Sequence, residues 1–567
     1  MELNYFRLVN SSPAEIISLE SNERHIFIFR KNGILDIYNT ESLTYIFSLD
    51  LQHTPKFTCL TDDGKLLVST TENIVLINTL NFEISVKNIN ASCIGYNKNG
   101  IYYTEGKRVY NDDKIVHKCN SEISAMLIGE MVVLGEESGG ITVLSEGIVE
   151  FSLGPEKITS IVHIHNTVFG ATTKKGSLIT FDARFGTIIQ KVKVRDSNLN
   201  ACLFHNGVVY CTGLDSRLIS YKLKDSKLYQ SYQVDSHYAE CMSITLSKGR
   251  IITGGRDGMI VVHWPEKTKF RFKRIYNRIG ETVFGNKIFA INNAKSLDLY
   301  ELKEVIENEV VKENNTIEDE VSCYGITMHA IPKSIYEKRD YKYLISLKPK
   351  NNILAHSINE SHFSYSTVDC TKVYSTINGI KEIASLDASY QILMNDKYLI
   401  RITLKLMCIV YDLSDMSVIN RFLVSEYDRF FVHGNCIVGN KIYNFLSGFV
   451  VEHGVQIVCG CGLDSENVLM ANTQYEIRKV NINTGESYVL YDKIVLYDIL
   501  GIIYYNSQVI YYDSESIVIN NHTKYDLQRY ICGLGLNKGE LVLVQKLWDE
   551  IIEGMEGRYH KDKYKNK

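Results

Sequence analysis

His163 and His165, in the run His-Ile-His, stand two residues apart. On a strand that spacing puts both imidazoles on one face, as the first half of a metal site requires. The sequence supplies no evident third ligand, so the pair reads as two half-buried strand residues. Cys459 and Cys461, in "CGCG", are the tightest of 13 cysteines. No Cys-x-x-Cys pair or matching histidine pair accompanies them, so a structural zinc site is not expected. The thiols read as buried and free in a reducing compartment. The carboxylates of "DLSD" and "LDSEN" fall at turns, where Asp usually bonds its own backbone. No Gly-x-Ser-x-Gly, His-Glu-x-x-His or Gly-x-x-x-x-Gly-Lys-[Ser/Thr] sequence occurs. Catalytic, cofactor and metal sites are therefore not expected, and the chain reads as a non-enzyme without cofactor or small-molecule substrate.

Phosphate chemistry has one candidate. "KTKFRFKRIYNR" carries six positive charges, Lys267, Lys269, Arg271, Lys273, Arg274 and Arg278, interleaved with Phe270, Phe272 and Tyr276. Strand alternation would put Lys267, Lys269, Arg271 and Lys273 on one face and Phe270 and Phe272 on the other. The segment reads as an outermost strand with packed aromatics and solvated charges. It also reads as a strip for phosphate contact, and the two readings are compatible. With a net charge of −4 over 567 residues, such contact must be local.

"GSLITFDARFGTIIQ", Gly176 to Gln190, asks whether its glycines cradle a ligand. A phosphate-binding glycine loop needs a helix after it, and here a strand follows. The stretch instead provides a template: a polar turn, a pivot, then an alternating strand with a large residue five positions on. Pivots at Gly33, Glu72, Glu105, Gly139, Gly176, Ser216 and Gly258 fit it, the third least well, spaced by 39, 33, 34, 37, 40 and 42 residues. That is close to one four-stranded propeller blade of roughly 40 to 45 residues. WD signatures are worn: Phe181-Asp182 and His263-Trp264 remain, with His237 lying 27 residues before Trp264.

The expectation is an all-β chain of tandem WD-repeat-like propellers. Residues 1–277 form a seven-bladed one. Residues 278–547 form a looser one of six or seven blades, and 548–567 a short helix and basic tail. The segment 301–320, with eight acidic residues and two lysines, reads as a solvated loop or short helix inserted in a blade. A docking site for a basic partner is the other reading. Leu547, Ile551, Ile552 and Met555 share a helical face suited to docking on the propeller, with a partner surface as the other reading. "MELNYFRLVNSSPAEI" lacks an apolar core of signal-peptide length, and no window of 18 uncharged apolar residues occurs. A soluble intracellular protein with no membrane contact is expected.

"KKGSLITFDARFGTIIQ", "TGLDSRLISYKL" and "HYAECMSITLSKGRIITGGRDGMIVVH" follow one another in an order that resembles the central blades of the cirhin family. These are WD-repeat subunits of the small-subunit processome. The ending "ELVLVQKLWDEIIEGMEGRYHKDKYKNK" and the opening "YFRLVNSSPAEIISL" are similar to the family's termini. Ala183 and "EGMEG" depart from its pattern, and residues 330–530 do not align with it. The resemblance implies a nucleolar, non-catalytic scaffold in pre-rRNA processing, linked to rRNA transcription. It implies partners among propeller and helical-repeat processome subunits and the 5′ external spacer of pre-rRNA. A tandem-propeller adaptor of ubiquitin-ligase or vesicle-coat type is the alternative. An enzyme with its site in a propeller channel would need convergent carboxylates or histidines, which the sequence does not show.

Overall fold

The computed structural model describes residues 3–7 and 14–546, apart from 303–320 and short breaks at 146, 225–226, 266–270, 276–280, 286–287, 293–295, 324–325, 331–335, 338–340, 378, 493, 495, 497–498, 515, 527–529 and 538–539. Every described element is a β-strand. Among the described residues no helix is long and apolar enough to cross a membrane. The helix and tail expected over 548–567 lie outside the described residues. So does the acidic segment beyond Leu302, which ends the strand Leu297–Leu302.

Two compact units divide the chain. The first gathers Pro13–Leu43 and Leu51–Asn277, and the second gathers Met1–Ser12, Thr44–Asp50 and Arg278–Ile551. In the first, antiparallel sheets follow one another over 16–39, 55–87, 94–118, 123–152, 158–193, 199–235 and 241–275. The first strand of each packs beside the first strand of the next, and Ile16–Ser21 returns beside Cys241–Ser247. Sheets set around a closed ring are the β-propeller architecture. The core lies between sheets. Ala125, Val133, Ile141 and Val143 of one interleave with Ile158, Phe169, Ile179 and Phe181 of the next. A bulge recurs in the first strands, between Ile16 and Ser18, Pro55 and Phe57, Ile158 and Ser160, Leu199 and Ala201.

The pivots sit where the period places them, between second and third strands. Gly33, Gly139, Gly176 and Gly258 have φ of +84°, +85°, +83° and +74°, and Ser216 of +61°. Glu72 and Glu105 are not in this region, and the second of these turns uses Gly106 instead (φ +58°). At Gly176 both conformation and space demand glycine: a Cβ would lie 2.2 Å from the Arg195 carbonyl oxygen and 2.3 Å from that of Ser197. Gly176→Ala is expected to cost about 2–3 kcal/mol, combining left-handed strain with displaced carbonyls. Amide exchange of Ser177–Asp182 in the full chain checks it, and unchanged rates would refute it.

Asp182 has a physical role. Its Oδ1 accepts the Arg184 N–H at 2.9 Å and the Phe185 N–H at 3.2 Å, and Gly186 closes the turn at φ +63°. The same turn, an Asn or Asp with a left-handed residue four positions on, recurs from Asn39 to Leu43, Asn78 to Phe82, Asp412 to Met416, Asn444 to Gly448 and Asn481 to Gly485. Each follows a third strand and caps its own backbone.

In the second unit, sheets follow over 281–347, 355–387, 391–423, 431–452, 457–491, 501–526 and 530–546. First strands again neighbour one another, and Glu281–Phe284 packs beside Tyr530–Asn537. The last sheet is completed from far away: Leu3–Arg7, numbered within the expected first domain, pairs in parallel with Glu540–Lys546. Tyr45–Asp50 also groups here. Phe47 packs at 5.0 Å from Tyr390 and 5.5 Å from Tyr427, and Asp50 accepts the Asn352 N–H at 3.1 Å.

The first unit closes its ring without an exchanged strand, using side chains. Ser21 Oγ donates to the Leu246 carbonyl at 2.6 Å. Arg30 Nη1 donates to the carbonyls of Ala14 and Gly258 at 3.0 and 3.1 Å, while its Nε meets the Asp36 carboxylate at 2.5 Å. Arg256 bridges Glu15 at 3.2 Å and Glu240 at 3.1 Å. Lys248 pairs with Glu41.

Candidate nucleic-acid interface

The basic segment ends the first unit. Arg271–Ile275 is the outermost strand of the sheet formed with Cys241–Ser247, Arg250–Gly255 and Ile260–Trp264. Its register places Arg271 opposite Trp264, Phe272 opposite His263, Lys273 opposite Val262 and Arg274 opposite Val261. Three of the six candidate cations, Arg271, Lys273 and Arg274, therefore lie on one edge strand. Lys267, Lys269 and Arg278 lie outside the described residues. Among the described residues no further strand pairs with this edge. Arg271 and Lys273 occupy alternate positions, about 7 Å apart along the strand.

The same sheet holds a buried polar network. His237 Nδ1 stands 3.2 Å from both Asp257 carboxylate oxygens, and its Nε2 is 2.8 Å from Thr253 Oγ1. Thr253 Oγ1 is in turn 3.1 Å from His263 Nε2. Asp257 also accepts the N–H groups of Tyr238 at 2.8 Å and Met259 at 3.0 Å. All four side chains are buried. Gly255 makes room for the pair, since a Cβ there would fall 2.3 Å from Asp257 Oδ1 and 2.5 Å from His237 Nδ1. Burial, the largest single influence, lowers the imidazole pKa, but the charge and hydrogen bond of Asp257, together with Cys241, raise His237 to about 10. Burial likewise opposes the Asp257 charge, and His237 with the two N–H donors holds its pKa below the ordinary value.

By spacing, Trp264 holds the WD position that goes with His237. The structure puts His263 in that position, because strand alternation turns only one of two adjacent residues toward the network. The order Asp–His–Thr is that of a nucleophilic triad. Here the His237 and Asp257 side chains have no exposed surface and the imidazole is held protonated. The pair is an internal clamp on the sheet.

Other sheets carry buried or half-buried polar groups of different chemistry on their second strands. In the 123–152 sheet Glu136 accepts the Ser121 N–H and hydroxyl, each at 2.9 Å. In the 158–193 sheet Thr173 donates to Glu156 at 2.6 Å. In the 391–423 sheet Arg401, 2% exposed, donates to Ser389 Oγ at 2.8 Å and to the Tyr411 hydroxyl at 3.1 Å.

The remaining candidates resolve simply. His163 and His165 are exposed rather than half-buried. His163 Nε2 is 2.9 Å from the Asn166 carbonyl, and its ring lies 4.9 Å from Phe169. Among the described residues no three His, Cys, Asp or Glu side chains cluster to hold a metal. Cys459 and Cys461 are half-buried free thiols, both pushed up to about 12 by burial. Asp412 and Asp464 cap their own turns, accepting from Ser414 and from Glu466 and Asn467.

No family model matches the chain, and no curated protein matches it. Among solved structures it is similar to the WD40 β-propeller domain of Doa1, with 12% sequence identity and a TM-score of 0.40 over 46% of this chain and 96% of that one.

Proposed function

We propose that the chain is a non-catalytic scaffold of two seven-bladed propellers, acting in the nucleolus within the small-subunit processome during pre-rRNA processing. The blade count rests on the successive sheets of each unit, whose first strands neighbour one another and return to their start. The observation that carries the RNA reading is the edge strand Arg271–Ile275, with Arg271, Lys273 and Arg274 on a sheet anchored by the buried His237–Asp257 pair. An edge strand, unpaired on its outer side among the described residues and carrying cations in its sequence, suits phosphate contact. The processome assignment itself is supported by the ordered sequence resemblance. The adaptor alternative is supported by the exposed apolar residues on outer strands of both units, such as Ile188 and Leu423.

Gentle purification of the tagged protein tests this reading. Pre-rRNA and ribosome-assembly factors are expected to co-purify, and their absence would sink it. Reversing the charges of Lys269, Arg271 and Lys273 is expected to lower the slope of log affinity against log salt by about two, as losing three phosphate contacts requires. An unchanged slope would remove the strip from the interface.

A further inference from the structure

The outer edges of the second unit's sheets are not equally covered. Ile326–Ala330 pairs in parallel with Thr523–Asp526, and Tyr336–Glu337 adds to Leu3–Arg7. Both added strands come from the segment joining Leu297–Leu302 to Tyr341–Leu347. Two edges thus already accept an extra strand from within the chain. The 457–491 sheet ends on Ser487–Tyr491, and among the described residues nothing pairs beyond it. On this edge Tyr488, Val489 and Leu490 are 63%, 45% and 44% exposed. A register shift leaves Leu490 without a partner between Val489, opposite Arg478, and Tyr491, opposite Ile477. Open edges normally carry a charge or proline within the strand to prevent pairing. Here the charges frame the strand instead: exposed Glu486 precedes it and exposed Asp492 follows it.

We propose that Ser487–Tyr491 is a strand-addition site for a partner's extended segment with an apolar or aromatic centre and Lys or Arg on both flanks. Main-chain hydrogen bonds would supply affinity and alternate side chains selectivity. The two framing carboxylates select basic flanks by charge complementarity. Val418–Leu423, the outer strand of the 391–423 sheet, also exposes Val418, Ile419 and Leu423. It carries exposed Arg421 within the strand and lacks the acidic frame, so it serves as the control. The proposal rests on the scaffold reading and specifies how that scaffold would hold a partner.

The test uses the full chain and a fluorescent peptide of sequence Lys-Lys-Val-Tyr-Val-Thr-Val-Lys-Lys. Its partners are a glutamate-flanked peptide with the same centre and a basic peptide with proline at its centre. The basic-flanked peptide is expected to bind about tenfold tighter than the acidic one, as two rim ion pairs would allow. The proline peptide is expected not to bind, and the amides of Ser487–Tyr491 to exchange more slowly with basic peptide present. Glu486→Lys with Asp492→Lys should reverse the charge preference, while Val418→Thr with Ile419→Thr changes nothing. Protection elsewhere, or an unreversed preference, would overturn the proposal. So would protection of 487–491 that rises with protein concentration alone, which would make a second copy the occupant. RNA co-purification is read separately, so the failure of either result is distinguishable from failure of the other.

Discussion

Replacing Asp257 with alanine is expected to destabilise the first unit by about 3–5 kcal/mol, the effect of leaving one member of a buried ion pair without its counter-charge. His237 and Asp257 are fully enclosed, so water cannot take the carboxylate's place. The pair also sets a pH profile. His237 is held protonated up to about 10, against an ordinary 6.5, so the folded chain keeps a proton that the unfolded chain releases above pH 6.5. Its contribution is complete below that value and is lost as pH climbs toward 10. Asp257, held below its ordinary 3.8, contributes fully above that value and loses its effect in acid. Stability of the first unit should therefore be flat between about pH 4 and 6.5 and decline on the alkaline side. In Asp257→Ala the alkaline decline should vanish. Urea unfolding of the full chain across pH, followed by amide exchange in Arg250–Gly255 and Ile260–Trp264, checks both parts. A loss below about 1 kcal/mol, or an alkaline slope that survives the substitution, would reject the clamp.

Arg30→Ala is expected to act with similar force, about 3–5 kcal/mol, for a partly different reason. Arg30 is 3% exposed and neutralises Asp36, 6% exposed, within its own sheet. Its Nη1 also reaches the Gly258 carbonyl of the last sheet, across the seam where the ring closes. Alanine leaves a buried carboxylate without its guanidinium and deprives that carbonyl of a donor. The change should concentrate at the seam, with Ile16–Ser21 and Cys241–Ser247 gaining amide exchange more than strands of the 123–152 sheet. Arg30→Ala with Asp36→Leu separates the two effects. Restored stability would assign the loss to the stranded charge, and persistent opening of the seam would assign it to closure. Uniform, weak acceleration of exchange throughout the unit would refute the seam's special dependence on Arg30.

The repeat was readable because its signal is local. A turn that needs positive φ selects glycine, and five of seven pivots, among them Gly33 and Gly176, adopt it. The strand after each pivot follows from alternation, and Phe181 packs as its position requires. What the sequence did not disclose depends on distance or on exchanged chemistry. Leu3–Arg7 is too short to show a period, and its partner Glu540–Lys546 lies at the other end of the numbering. The worn WD positions hid the buried polar groups because Arg30 with Asp36, Glu136 with Ser121 and Arg401 with Tyr411 are unrelated in type. The turn-capping role of Asn39, Asn78, Asn444 and Asn481 could have been found in part. A search for Asn or Asp four residues before a glycine reaches Asn444 and Asn481, whereas Asn39 and Asn78 precede Leu43 and Phe82, whose left-handed conformation the sequence does not mark. For the candidate interface, the run of cations was legible, and so was the outermost strand on which three of them lie. The buried pair in the same sheet was legible only as a lone histidine, because the sequence does not say which of His263 and Trp264 faces inward.

The pairing of Leu3–Arg7 with Glu540–Lys546 also orders events in time. A ribosome releases the earlier strand first and must add more than 530 residues before its partner is complete. At about 5–20 residues per second that interval is roughly half a minute to two minutes. The short strand Tyr336–Glu337 is the first native neighbour to emerge, and until Glu540–Lys546 follows the second ring cannot close. The first unit, whose sheets are each finished soon after they begin, can assemble during translation. Birth order alone thus separates the two rings, and the early strand is left with one open edge, exposed to a chaperone or a wrong partner, until the last sheet arrives.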